Sequence, residues 1–328
     1  MVKKGLLFSV IFLLLFGSNG HAEVEKPYTY KRMKQEVYQI AKQFHLEVKT
    51  FGKSEFGRDL VAVKVGDGKK SVLITASHHG REWLSTHIVM KMMKQYAKAY
   101  SESNDIYGHH PQILDDVSIW FVPMVNPDGV MIQQTGTRHM PFLMQEVYFD
   151  MNKGYGDFSR WKANGFGIDL NRQYPAGWEE IKGGQPYAAY SHYKGEKPFV
   201  AKESRALRAF TNQIRPLAAA AYHTSGRVIY WYYFNEIQHL QRDIRLVNEI
   251  AEKTGYEVEY PPSSAIGGGY TDWFIQTYKL PALTIELSYS VHETNPPLSV
   301  LKEEWNRNKE IGMVMASFAK NEFGVAEE

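Results

Sequence analysis

Short apolar segments patterned like β-strands alternate with longer segments of helical periodicity along most of this chain, and this alternation constrains the fold most. Strand patterns cover 46–50, 60–65, 71–77, 117–125, 217–222, 228–233 and 282–287. Helical patterns cover 28–44, 83–100, 201–214, 237–254 and 298–318. Because such alternation is typical of α/β proteins, we predict a single α/β domain with a mixed, mostly parallel central sheet flanked by helices.

Three stretches lack this periodicity. Asn126-Pro127-Asp128-Gly129 has the residues of a turn, and 261–270 is a glycine-rich loop. Residues 133–168 show no clean period and are rich in glycine, aromatic and polar residues. Irregular stretches of that length inside a domain are usually functional, so we expect 133–168 to border a ligand cleft.

Composition excludes several function classes. The chain has no cysteine, which rules out a thiol nucleophile, a disulfide framework and a cysteine-ligated metal, so any metal must be held by histidine and carboxylate. The formal net charge is +2, and no lysine- or arginine-rich run could follow a phosphate backbone. Nucleic acid is therefore not an expected partner.

Residues 1–22 have the three-part pattern of a signal peptide. Lys3 and Lys4 precede the apolar run 5–16, and Gly20-His21-Ala22 provides small residues at the positions that a signal peptidase recognises. The apolar run is shorter than the roughly 20 residues needed to span a bilayer. We predict cleavage after residue 22, a catalytic domain over 23–328 without a membrane anchor, and a protein secreted to the cell envelope or the medium.

Ionisable residues follow three of the predicted strands. His79 and Glu82 come just after strand 71–77, at a spacing that puts two side chains on one face of a helical turn. His223 ends the strand beginning at residue 217, and Glu286 lies near the end of strand 282–287. Because ligands of open α/β sheets bind outside the carboxyl ends of strands, these side chains are expected to meet.

The residue types indicate zinc. His79, Glu82 and His223 would supply two imidazoles and one carboxylate, which leaves a fourth position open, as in catalytic zinc sites. We therefore predict one Zn²⁺ ion. Ligand identity alone does not separate zinc from other divalent metals.

Six motifs, in this order along the chain, resemble those of the zinc carboxypeptidase family, which has the carboxypeptidase A-like fold. The resemblance covers most of 28–320. The motifs are His79-Gly80-Arg81-Glu82-Trp83, Asn126-Pro127-Asp128-Gly129, Gly167-Ile168-Asp169-Leu170-Asn171-Arg172, Tyr222-His223-Thr224-Ser225, Thr271-Asp272-Trp273 and Ile285-Glu286-Leu287.

The resemblance implies a role for each matching position. It makes His79, Glu82 and His223 the zinc ligands and Glu286 the general base. It also implies that Arg81, Asn171 and Arg172 bind the substrate carbonyl and carboxylate. Asp272 would start a helix beside the side-chain pocket, and Thr271 would lie at the floor of that pocket.

Two positions depart from the family pattern. Where the family often has a Trp-Arg pair that stabilises the oxyanion, this chain has Trp161-Lys162 with Arg160 just before it, so either cation could act. Ser264 occupies the position of the mobile tyrosine of digestive members, and Tyr260 and Tyr270 are out of register. The clamp on a terminal carboxylate is thus incomplete.

Together with the predicted signal peptide and the segment 160–164, the incomplete clamp makes the sequence similar to bacterial γ-D-glutamyl-L-diamino acid endopeptidases. The resemblance implies hydrolysis of cell-wall peptides, with murein stem peptide as substrate and Arg172 on a diaminopimelate carboxylate. A monomer is expected.

Three alternatives stay open. The first is a metallocarboxypeptidase that removes C-terminal residues from peptides. The second is a non-catalytic peptide- or wall-binding protein on a peptidase fold, although the intact ligands and Glu286 argue against it. The third is an N-acyl amino-acid deacylase, which shares the H-x-x-E…H arrangement but does not account for long irregular segments lining a peptide cleft.

Overall fold

The computed structural model describes residues 26–324, so the predicted signal peptide over residues 1–22 lies outside the described residues. This part of the chain forms helices and strands in alternation. The helices are α1 (Tyr30–Phe44), α2 (Leu84–Ser101), α3 (Ile113–Asp116), α4 (Pro127–Thr135), α5 (Phe142–Met151), α6 (Lys202–Ile214), α7 (Ile237–Thr254), α8 (Tyr270–Tyr278), α9 (Leu301–Asn308) and α10 (Ile311–Phe323). None of them, over residues 26–324, is long and apolar enough to cross a bilayer.

The strands form one sheet. They are β1 (Glu47–Lys53), β2 (Asp59–Val65), β3 (Lys70–Ala76), β4 (Val117–Val122), β5 (Ala219–Thr224), β6 (Val228–Tyr230), β7 (Glu257–Glu259) and β8 (Ala282–Leu287). Their order across the sheet is β1-β2-β4-β3-β5-β8-β6-β7. The central strands β4, β3, β5 and β8 are mutually parallel. The pairings of β1 with β2, of β2 with β4 and of β6 with β8 are antiparallel. The predicted fold class, a mixed α/β sheet flanked by helices, is confirmed.

Strand alternation divides the core into two layers. In β3, Val72 and Ile74 face a large apolar cluster that includes α1, α2, α7, α9 and α10. Leu73 faces the opposite cluster, which includes α6 and α8. Because β3 is buried on both faces, its sequence is a continuous apolar run instead of an alternating one.

Four local predictions were wrong. The segment 126–129 is not a turn, because Asn126 caps α4 and Pro127 occupies its first position, where a missing N–H costs nothing. The irregular stretch 133–168 contains α5, whose mostly exposed apolar residues give no amphipathic period. The helix predicted over 298–318 is interrupted between α9 and α10. At this break the Lys309 carbonyl accepts a hydrogen bond from the Tyr96 hydroxyl group, and the Glu310 carbonyl accepts one from Met313 N–H. Strand β6 ends at Tyr230, before the predicted end.

His87 on α2 gives the core a pH dependence. The side chain is 5% exposed, packs against Tyr28 with ring centroids 4.5 Å apart, and has a pKa lowered to about 3 by burial and by the nearby charge of Arg32. The folded state therefore binds fewer protons than the unfolded state below pH 6.5, and stability is lost as the pH falls from 6.5 toward 3. Between pH 7.5 and pH 5.0 we expect this group to remove about 2 kcal/mol of unfolding free energy.

Chemical denaturation of the wild type and of His87→Phe at both pH values measures this effect. The variant should lose about 2 kcal/mol less than the wild type. His139→Gln, at an exposed histidine, serves as the control and should follow the wild type. Equal pH dependence of the wild type and His87→Phe would contradict the assignment.

Candidate metal centre

The carboxyl ends of three adjacent parallel strands meet at this site. His223 continues the alternation of Ala219 and Ala221 in β5, so it points to the α6/α8 side of the sheet. Glu286 in β8 is its register partner and points to the same side. The third element, β3, ends at Ala76, three residues before His79. The predicted meeting of these strand ends is confirmed.

A turn between β3 and α2 carries His79 and Glu82. Ser77 adopts a left-handed backbone with φ of 50° and redirects the chain out of β3. Glu82 N–H donates to His79 O at 3.2 Å, and α2 begins only at Leu84. The i, i+3 spacing still places both side chains together, because this turn has the same backbone hydrogen bond as a tight helical turn.

His79, Glu82 and His223 converge on one point. One donor atom from each lies within 4.8 Å of the other two, and all three residues are buried. The Nδ1 atoms of His79 and His223 lie 2.7 and 2.8 Å from the two Glu82 carboxylate oxygens and 3.2 Å from each other. Two imidazole nitrogens and one carboxylate, with all donors facing inward, match the His₂Glu set of catalytic zinc sites.

Asp169 orients the first ligand from behind. It is fully buried, and its Oδ1 lies 3.1 Å from Nε2 of His79, which fixes the ring so that Nδ1 faces the other ligands. Burial by itself would raise the pKa of Asp169, but Lys162, His79 and Arg172 hold it well below the usual range. Asp169 therefore remains a carboxylate.

Glu82 is also held as a carboxylate. Burial would raise its pKa, but the imidazoles of His79 and His223 outweigh burial and lower the pKa well below the usual range. A ligand must be deprotonated to hold a cation, so this environment prepares Glu82 for zinc.

Glu286 behaves in the opposite way. Burial raises its pKa well above the usual range, and the Glu82 charge adds to this, whereas Lys162 and Arg81 lower it. Its Oε2 is buried and has no hydrogen-bond partner within residues 26–324. A carboxyl group that holds a proton more readily than an exposed glutamate suits proton transfer near neutral pH.

The structure distinguishes between the two candidate cations. Lys162 Nζ lies 3.2 Å from Oδ2 of Asp169, and Lys162 is close enough to Glu286 to lower its pKa. Arg160 instead lies over the rings of Tyr155 and Tyr190, at 4.4 and 4.2 Å from their centroids. Lys162 therefore belongs to the metal centre, and Arg160 lies in an aromatic cluster beside it.

Arg81 and Arg172 each contact residues of this centre. Arg81 is close enough to Glu286 to lower its pKa, and its Nη1 lies 3.4 Å from the Glu293 carboxylate. Arg172 is buried, with Nε 3.7 Å from Asp169 and Nη1 donating to the Lys182 carbonyl at 3.3 Å. These two guanidinium groups could hold carboxylate groups of a bound peptide.

A small pocket of about 70 Å³ adjoins Glu286. Asn171, Thr271 and Asp272 line it, and α8 begins at Tyr270, with Asp272 in its first turn and not at its start as the resemblance implies. Thr271 and Thr284 join their hydroxyl groups at 2.9 Å, while Asp272 accepts a hydrogen bond from Gly267 N–H. The pocket is therefore polar. A larger cavity of about 760 Å³ lies between α1, α2 and α9, and none of the predicted site residues lines it.

The tyrosines near position 264 do not replace the missing clamp. Tyr270 is fully buried, and its hydroxyl group lies 3.0 Å from that of Thr211. Tyr260 is 71% exposed and packs on Tyr232.

Sequence reasoning gave Asp169 no role. His192 is half-buried, its backbone N–H donates to Asp169 at 3.3 Å, and burial and Lys162 lower the pKa of its imidazole to about 4. His78 is fully buried and stacks on His223, with ring centroids 5.2 Å apart. Asp169 had a signal, since an isolated carboxylate between Ile168 and Leu170 predicts burial with a partner.

Comparison with known proteins extends these findings. The profile of the zinc carboxypeptidase family, Peptidase_M14, matches residues 33–311. A relative from Lysinibacillus sphaericus, γ-D-glutamyl-L-diamino acid endopeptidase 1, is 33% identical over 84% of this chain and 68% of its own length. The uncharacterized protein YqgT of Bacillus subtilis is 30% identical over 82% of this chain and 72% of its own length.

Solved structures share the fold. Bovine thrombin-activatable fibrinolysis inhibitor superimposes with a TM-score of 0.72 over 90% of this chain and 98% of that protein, at 16% identity. The extent of the profile match, together with a buried His₂Glu cluster at the ends of β3 and β5, identifies this chain as a zinc metallopeptidase that belongs to the zinc carboxypeptidase family.

Proposed function

We propose that this protein is a secreted peptidase that hydrolyses γ-D-glutamyl-diaminopimelate bonds in cell-wall peptides. The observation that carries the proposal is the 33% identity over 84% of the chain to a γ-D-glutamyl-L-diamino acid endopeptidase. The polar pocket beside Glu286 and the serine at position 264 support it, since a diaminopimelate side chain ends in charged groups. The pattern of residues 1–22 supports export to the envelope or the medium, where a monomeric enzyme would meet murein stem peptides.

In the proposed mechanism the chain's own groups move the proton and orient the substrate. Zinc, held by His79, Glu82 and His223, supplies the Lewis acidity that makes water nucleophilic near neutral pH. Glu286 takes a proton from the attacking water as the water oxygen bonds to the amide carbon. Glu286 then gives the proton to the leaving nitrogen as the C–N bond breaks.

Charged side chains around this centre complete the arrangement. The Lys162 ammonium group stabilises the negative charge that develops on the carbonyl oxygen, and the Arg81 guanidinium group adds a second positive charge near Glu286. Asn171 and Arg172 hold a carboxylate of the diaminopimelate residue by charge-assisted hydrogen bonds. Thr271 and Asp272 contact its side chain in the polar pocket.

Digestion of defined substrates tests the proposal. Purified protein with one equivalent of zinc is incubated with L-Ala-γ-D-Glu-meso-diaminopimelate and with an N-blocked dipeptide, and the products are identified by mass spectrometry. We expect release of diaminopimelate and L-Ala-D-Glu from the first substrate and little release from the second. Cleavage of the dipeptide alone would refute the proposal and support a metallocarboxypeptidase.

The carboxypeptidase alternative has its own support. Asn171 lines the pocket and Arg172, the next residue, lies near Asp169, so the two could bind a C-terminal carboxylate, and the family profile has that activity in its name. A zinc-loaded protein that hydrolyses neither substrate would instead support a binding protein. Cleavage of N-acetyl amino acids alone would support a deacylase.

Replacement of the two candidate cations gives separate predictions. Lys162→Met should lower kcat by about 100-fold, because the lost charge lies beside the reacting carbonyl. Arg160→Met should change kcat by less than about threefold, since Arg160 is stacked on tyrosines away from Glu286. Steady-state kinetics with measured zinc content checks both. A larger loss for Arg160→Met than for Lys162→Met would reverse the assignment.

A further inference from the structure

Asn126 is the first residue of a motif to which the proposed mechanism gives no role. It lies between β4 and α4 and is fully buried. Its Oδ1 accepts a hydrogen bond from Gly129 N–H at 2.9 Å, which caps α4. Its Nδ2 donates two further hydrogen bonds, each 3.1 Å long, to the carbonyls of His78 and Ala163.

The two accepting carbonyls belong to segments that carry the reaction. His78 directly precedes the zinc ligand His79, and Ala163 directly follows Lys162. A third hydrogen bond, from Gly80 N–H to the Lys162 carbonyl at 2.9 Å, joins the same two segments. The Asn126 amide therefore bridges the ligand turn and the backbone that carries the cation.

Close backbone packing leaves these segments little freedom. A Cβ atom on Gly129 would lie 2.3 Å from the Ala163 carbonyl oxygen. A Cβ atom on Gly80 would lie 2.5 Å from the Gly129 carbonyl oxygen. Three backbone segments thus touch directly, and the Asn126 side chain lies within their junction. Loss of its two donors would leave two buried carbonyls short of partners, so the segments would be expected to shift.

We propose that Asn126 is a positioning residue that sets the place of the Lys162 ammonium group relative to the zinc ligands. The proposal rests on the role of Lys162 in the proposed function. It differs from a helix cap in its consequence, because a cap stabilises α4 without affecting the turnover of folded enzyme. A positioning residue affects turnover through Lys162 and leaves substrate and zinc affinity nearly unchanged.

The test uses Asn126→Ser in the full zinc-loaded enzyme. Serine retains an oxygen that can cap α4 and removes the amide that donates to both carbonyls. We expect kcat to fall about 10- to 100-fold, as small displacements of a catalytic group can produce, while KM and the zinc dissociation constant stay within about threefold.

Asn308→Ser provides the matched control. Asn308 is also fully buried and donates two hydrogen bonds, to Tyr256 Oη and the Glu304 carbonyl, but it lies on α9 away from the metal centre. This variant should lose thermal stability with kcat unchanged. If both asparagine variants had the same kcat, a positioning role for Asn126 would be excluded.

A double-mutant cycle with Lys162→Met separates the two proposals. In the Lys162→Met background, Asn126→Ser should lower kcat by less than about twofold, because the group that it positions is absent. A full further loss in that background would overturn the Asn126 proposal and leave the role of Lys162 intact. Near-normal kcat for Lys162→Met alone would overturn the role of Lys162 and, with it, the inference. If Asn126→Ser does not fold, Asn126→Asp enters the same cycle, since aspartate retains the cap and lacks the donors.

Discussion

Glu286→Gln should lower kcat by about 10³- to 10⁴-fold while the zinc content stays at one equivalent. The reason is geometric, since Glu286 lies on β8 opposite His223 but is not one of the three converging donors. Glutamine has nearly the same size and cannot accept the proton of the attacking water. The metal site should remain intact because its ligands come from β5 and from the turn after β3.

Metal analysis by atomic spectroscopy and steady-state kinetics on the same preparation measure both quantities. Glu257→Gln, at an exposed glutamate on β7, is the control and should retain wild-type kcat and zinc. Near-normal turnover by zinc-loaded Glu286→Gln would show that another group is the base. Loss of zinc in that variant would show that Glu286 contributes to the metal site directly.

The second large effect is expected at the zinc ligands. His223→Ala should weaken zinc binding by more than about 100-fold. Loss of a group that only hydrogen-bonds to a metal ligand already lowers metal affinity about 10- to 100-fold, and His223 is itself a ligand. Activity should vanish at stoichiometric zinc. In the wild type, zinc at about 1,000 times its dissociation constant should raise the unfolding free energy by about 4 kcal/mol, since it binds only the folded site.

Thermal melts of the wild type and His223→Ala, with and without zinc, measure this coupling. The wild-type Tm should rise by several degrees on addition of zinc, whereas that of His223→Ala should not move. His139→Ala, at an exposed histidine, should respond like the wild type. An equal zinc response in His223→Ala would place the metal elsewhere.

The strand ends could be predicted from sequence because their signal is local and strong. An apolar run such as 71–77 can only be a buried segment, and a histidine or glutamate at the end of such a run needs a partner. The order of strands in an α/β sheet then brings these residues together. The convergence of His79, Glu82, His223 and Glu286 could therefore be predicted before any coordinates, whereas the role of each residue came from the family resemblance.

Other parts of the site could not be predicted, because they depend on contacts between distant loops. Arg160 packs on Tyr155 and Tyr190, whereas Lys162 pairs with Asp169, and no sequence spacing encodes those contacts. The helix α4 was missed because asparagine, proline, aspartate and glycine begin helices as readily as they form turns. The exposed apolar residues of α5 concealed the period of that helix.

The pairing of His223 with Glu286 across β5 and β8 has a consequence for how such an enzyme can diversify. Neighbouring strands are held about 4.8 Å apart by backbone hydrogen bonds, whatever side chains surround them. The separation of His223 from Glu286, the proposed base, is thereby fixed by the sheet and does not depend on the loops around the cleft. Insertions or substitutions in 133–168 or 261–270 can therefore change substrate preference while His223 and Glu286 keep their relative positions.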